Sequence, residues 1–164
     1  MVYVDLFATS QEDPVTRIRR FSLIAVLTAI LLALGLPALA ASPMSISDSV
    51  TDPDGWLASA DRSTIESATS RAASSGKPVK VVLVANFSGT DAESWCKQTA
   101  ERSSLANGTV VYVIAYSQRR DAACSYNGPS GTSLQNAVRA AEAQLTPNPL
   151  TSSAVANGVN AFVS

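Results

Sequence analysis

The chain contains no histidine. That absence excludes Ser-His-Asp and Cys-His catalysis, histidine proton shuttles and ordinary zinc ligation together. Acid–base chemistry has to rest on carboxylates, Tyr, Lys or Cys. Charge is sparse as well, with 15% charged residues and a formal net charge of −1. There is no basic surplus to hold nucleic acid and no acidic tail. Cysteine occurs only at Cys96 and Cys124, too far apart for a C-x-x-C redox motif. No internal repeat is visible. The remainder is an ordinary folded composition, 46% hydrophobic over 164 residues, with room for one domain and a short accessory segment.

The longest uncharged run is "FSLIAVLTAILLALGL", residues 21–36, preceded by Arg17, Arg19 and Arg20 and followed by Pro37 and "ALAAS". Positive charges, an apolar run and an A-x-A site at Ala38 and Ala40 are the parts of an export signal. Read as a spanning helix, residues 21–41 supply about the 20 residues needed to cross the hydrocarbon core. The arginines then stay on the cytoplasmic side. The expected organisation is a cytoplasmic leader (1–20), a transmembrane anchor or signal peptide (21–41), a polar tether (42–55), a folded domain (56–148) and a C-terminal tail or short helix (149–164). This places the protein in the cell membrane, single-pass, with its C-terminal domain outside the cytoplasm. The alternative is secretion after cleavage following Ala40. Export puts Cys96 and Cys124 in an oxidising compartment, where a disulfide is expected. That bond closes a loop of roughly 29 residues and contributes about 3–4 kcal/mol in the chain-entropy model.

Beyond the tether, Ser59 is placed to cap a helix over about 60–75, with Asp61 in its first turn and Ile65, Ala68 and Ala72 on one face. Gly76 suits a left-handed stop. "VKVVLVA", residues 79–85, is β-branched and nearly continuous, as expected of a strand covered on both faces. A second helix over about 91–105 leads through the Asn107-Gly108 turn to the central strand, "TVVYVIAY". After a reversal at 117–120, "DAACSYN" alternates so that Ala122, Cys124 and Tyr126 share a face, which aims Cys124 at the core toward Cys96. Leu134, Val138, Ala141 and Leu145 form the stripe of a helix over about 132–145, and Val155, Val159 and Phe162 mark a short weak one. The fold class expected is α/β: a small sandwich with a short mixed sheet, three strands of it clear, covered by helices.

Two local patterns offer ligand chemistry. "DPDG" sets Asp52 and Asp54 two apart before Gly55, the start of a calcium loop, although a full loop needs a closing Glu and position 63 is Ser. Arg119 and Arg120 present guanidinium forks suited to phosphate or an acidic glycan. Asp121 reads as the surface ion-pair partner of Arg120.

The element order and two stretches, "SVTDPDGWLASADRSTIESA" and "GTVVYVIAYSQRRDAACSYNGPSG", resemble the TPM domain family of thylakoid-lumen and bacterial envelope proteins. The likeness spans roughly residues 50–145. It sets Asp52 at the family's opening aspartate, Leu57 at its leucine, Arg119 at the arginine of its turn, and Gly128 and Gly131 at the glycines after the return strand. The family's glutamates in and after that strand are replaced by Cys124 and Ser130. Its following aspartate has no counterpart in "TSLQNAVRAAEAQL", where the sole carboxylate is Glu142. Some TPM domains are associated with phosphatase activity or divalent-cation binding, and the resemblance implies that most of that acidic set is missing here. The function expected is therefore a non-enzymatic TPM-like domain that binds or organises envelope components, with a possible protein partner in the envelope. No cofactor is expected. The alternative is a divalent-metal-dependent phosphatase of the TPM type, using a cation such as calcium at Asp52 and Asp54 with Arg119 steadying phosphate.

Overall fold

The computed structural model describes residues 41–164. The leader, the A-x-A site and the anchor or signal segment up to residue 40 lie outside the described residues. Among the described residues no helix is long and apolar enough to cross a membrane. The elements run β1 (Val50–Thr51), α1 (Ser59–Ser74), β2 (Val79–Val84), α2 (Ala92–Arg102), β3 (Thr109–Ala115), β4 (Arg120–Tyr126), α3 (Thr132–Glu142) and α4 (Ser152–Val163). The result is a small α/β domain with a mixed four-stranded sheet in the order β1-β2-β3-β4. The first three strands are parallel and β4 is antiparallel to β3.

All seven residues of β3 are buried. A parallel strand with helices on both faces has no wet side, which is why its sequence is an unbroken apolar run. Its side chains alternate between two cores. Val81, Leu83, Tyr112 and Ile114 meet Ile65 of α1, Ala141 of α3, and Val155, Val159 and Phe162 of α4. Val82, Val84, Val111 and Val113 meet Trp95, Cys96 and Ala100 of α2 on the opposite face. The expected disulfide is present, joining Cys96 on α2 to Cys124 on β4.

Three local outcomes differ from the expectations. The sheet has a fourth strand, because Val50 and Thr51 pair with Val81 and Val82. Two residues in a Ser- and Asp-rich stretch carry no legible period. The stretch read as a tether is packed down at several points: Ile46 and Val50 are buried. The Ile46 amide donates to Ser103 Oγ (3.0 Å), and Arg102 donates to the Pro43 carbonyl. Secondly, α1 starts one residue early. Ala58 takes the N-cap position, Ser59 is the first helical residue, and the Ala58 amide donates to Ser152 Oγ at 2.9 Å. Its other end behaves as expected: Gly76 adopts φ +76° while its amide and that of Lys77 donate to the carbonyls of Ala73 and Ala72.

The third difference is α4. A 12-residue helix is marginal on its own, yet this one buries Val155, Val159 and Phe162 in the core. Full burial of each such side chain contributes roughly 1.5–3 kcal/mol, which outweighs weak intrinsic propensity. Gly158 makes the approach possible, since a Cβ there would lie 3.1 Å from Leu145 Cδ2 and 3.3 Å from the Ala141 carbonyl oxygen.

Candidate functional site

The parallel strands β1, β2 and β3 all end at one rim, where open α/β sheets bind their ligands. Asp52 and Asp54 follow β1, and Arg119 and Arg120 follow β3, so the nominated residues share that rim. They do not converge. The sheet order puts β1 and β4 three strand spacings apart, roughly 14 Å.

Asp52 serves the chain itself. Its carbonyl accepts from the Gly55 amide (3.2 Å), its Oδ1 from the Trp56 amide (3.1 Å) and its Oδ2 from the Leu57 amide (2.9 Å). An Asp side chain bonding nearby downstream amides is what makes this residue type a turn former. Asp54 Oδ2 accepts from the Tyr116 hydroxyl at 3.0 Å, and the Tyr116 ring stacks on Trp56 with centroids 4.7 Å apart. Burial, then the Asp54 hydrogen bond and charge, push the Tyr116 hydroxyl up to about 12. The two carboxylates thus brace a turn against the end of β3.

Arg119 occupies the left-handed region at φ +53° and folds back. Its Nη2 donates to the carbonyls of Leu145 (3.2 Å) and Thr146 (3.1 Å), just past the end of α3. A cation there lies beyond the C-terminal end of α3, where it suits the helix dipole. Arg120 pairs with Ala115 in the sheet, and its exposed side chain forms no hydrogen bond or ion pair among the described residues. The two arginines line a cavity of about 160 Å³ together with Asp121, Glu142 and Leu145.

Asp121 and Glu142 supply the carboxylates of this cavity. Asp121 is not the partner of Arg120: its Oδ2 accepts from the Tyr112 hydroxyl at 2.7 Å. Burial raises its pKa above the ordinary value; the Tyr112 hydrogen bond opposes that shift and the nearby Glu142 charge adds to it. The available signal was the strand period, which sets Asp121 on the face opposite Cys124, toward the only carboxylate of α3.

A divalent hard cation takes six to eight oxygen ligands, preferably from several carboxylates. Among the described residues no group of three or more His, Cys, Asp or Glu side chains is arranged to hold a metal ion. Asp52 has both oxygens engaged by amides, and the Arg-lined cavity offers two carboxylates. The residues present do not fit a divalent cation.

A second and larger cavity, about 550 Å³, runs along the outer edge of β4. Glu93 and Lys97 of α2 form one wall, and Leu134, Val138 and Arg139 of α3 the other, with Ala123 and Ser125 at the base. Glu93 and Lys97 are ion-paired at 2.7 Å.

A mixed four-stranded sheet between helices, with one rim braced by the chain's own hydrogen bonds, defines a small α/β domain. No family model matches the chain. It is similar to UPF0603 protein MT2410 of Mycobacterium tuberculosis (strain CDC 1551 / Oshkosh) and to UPF0603 protein Rv2345 of strain ATCC 25618 / H37Rv. Each is 33% identical over 103 residues, which are 62% of this chain and 16% of theirs. The chain therefore spans about a sixth of the length of these curated relatives. The solution NMR structure of the N-terminal domain of the cg2496 protein from Corynebacterium glutamicum aligns with a TM-score of 0.58 at 28% identity. That match covers 79% of this chain and 88% of that domain. These likenesses are consistent with a small domain family shared by mycobacterial and corynebacterial proteins.

Proposed function

We propose that the chain is an exported, membrane-tethered bacterial envelope protein whose TPM-type domain binds or organises other envelope components without catalysis. The observation that carries this reading is the engagement of the rim: Asp52, Asp54 and Arg119 each hold the fold together through the bonds described above. Groups spent on the chain's own hydrogen bonds are poor candidates for turning over a substrate, while the large cavity beside β4 is left open. The Cys96–Cys124 disulfide supports a location outside the cytoplasm, where such bonds persist.

The second reading, a divalent-metal-dependent phosphatase of the TPM type, has one observation in its favour: Arg119, Arg120, Asp121 and Glu142 line one cavity. Its difficulty is the short supply of carboxylates. Melting of the oxidised chain in EDTA, then in excess Ca²⁺, Mg²⁺ or Mn²⁺, separates the two. A cation at ~100 times its dissociation constant adds about 2.7 kcal/mol, several degrees for a domain of this size. The binding-domain reading expects unchanged melting. A shift that disappears in Asp52→Asn or Asp121→Asn would overturn it.

A further inference from the structure

Among the described residues the outer edge of β4 is unpaired, and the hydrogen-bond register identifies which groups it exposes. The Val110 and Tyr116 amides donate to Pro78 and Val84, so the even-numbered residues of β3 face β2. The odd-numbered ones face β4, which makes Val111↔Cys124 and Val113↔Ala122 the pairs that exchange hydrogen bonds. Ala123 and Ser125 therefore turn their N–H and C=O groups away from the sheet, and neither residue's main chain has a partner among the described residues. An exposed row of this kind is a template for another strand.

The charged residues of this strand, Arg120 and Asp121, stand at its start, and its middle carries none of the side chains that usually blunt such an edge. Between Asp121 and Tyr126 the strand reads Ala122, Ala123, Cys124 and Ser125, with no lysine, proline or bulge. Instead the edge sits at the base of the 550 Å³ groove between α2 and α3. The Cys96–Cys124 bond ties α2 across β4 on one face, and α3 lies over the other. A slot walled on both sides admits one extended chain. A second copy would have to bring its own pair of walls into the same space.

The geometry points to this edge as a β-addition site for an extended segment of a partner polypeptide, with small or apolar side chains toward Leu134 and Val138 and a carboxylate in reach of Arg139. Main-chain bonds to Ala123 and Ser125 provide affinity, and the walls provide selection. The acidic preference is local to Arg139. Lys97 is already paired with Glu93, and Glu142, which also lines the groove, acts on Asp121 at the start of β4, whereas Arg139 is exposed and forms no ion pair among the described residues. The inference rests on the binding-domain reading and deepens it by naming the surface and the partner's chemistry.

The test uses the full oxidised chain in detergent micelles and a capped seven-residue peptide that alternates valine and threonine around a central glutamate. Saturating peptide is expected to slow hydrogen exchange of the Ala123 and Ser125 amides by about tenfold or more, while those of Val111 and Val113 hold their rates. Ala123→Pro removes an outward N–H that β3 does not use, which edge strands tolerate, and is expected to abolish binding. Arg139→Glu leaves the strand intact. It should bind the glutamate peptide about tenfold more weakly and favour a lysine-centred version, as expected for loss of one charge-assisted contact. Unchanged exchange at Ala123 and Ser125, or equal peptide affinity in both variants, would overturn the proposal. So would protection of those amides without peptide in a dimeric chain, because the occupant would then be a second copy. The cation melts judge the binding-domain reading and the exchange experiment judges the edge, so each can fail while the other holds.

Discussion

The Tyr112 hydroxyl, on a ring stacked 4.3 Å from Phe162, donates to the Asp121 carboxylate at 2.7 Å. Burial raises Asp121 above its ordinary 3.8, so the folded state keeps its proton at pH values where the unfolded chain has lost it. Stability from this group is greatest below 3.8 and declines as pH climbs from there through the raised folded value. Asp121→Asn keeps an acceptor for Tyr112 and removes the titration. Urea unfolding across that window should show a flatter dependence in the variant than in the parent. An unchanged slope would refute this assignment to Asp121.

Phe162 joins α4 to the central strand through its stacking on Tyr112. Phe162→Ala should cost about 3–5 kcal/mol, as for other buried phenylalanine truncations. A chain ending at residue 148 should lose cooperative melting, because Val155 and Val159 leave the same core. Thermal unfolding of both variants checks this, and native-like melting of the truncated chain would refute it.

Reduction of Cys96–Cys124, 28 residues apart, should lower unfolding free energy by roughly 3–4 kcal/mol. Denaturant midpoints with and without reductant measure it. The double Cys→Ala variant should also lose part of the α2 wall of the groove, read as faster exchange of the amides at positions 122 and 124.

Gly128 lies where two loops cross. A Cβ there would sit 2.7 Å from Gly108 Cα and 3.0 Å from its carbonyl. The obstacle is backbone and cannot swing aside. Gly128→Ala should destabilise by about 1–3 kcal/mol, the usual cost of overpacking. Melting no lower than the parent's would show that the loops separate freely.

Properties encoded by neighbours along the chain were legible without coordinates. Continuous β-branched runs marked β2 and β3 as strands covered on both faces, and period-two alternation aimed Cys124 at Cys96. Gly76 ended α1 as its lack of a Cβ allows. What the tertiary structure alone decided depends on partners far away in the sequence. Two residues became β1 because Val81 and Val82 offered an open edge. The weak α4 became core because Gly158 let it approach α3 closely. Asp52 and Arg119 carry side chains that suit ligands, yet the first is taken by local amides and the second by carbonyls 26 and 27 residues on. A side chain's chemistry is written in the sequence. Whether that chemistry is free to meet a ligand is decided by which donors and acceptors the fold brings to it.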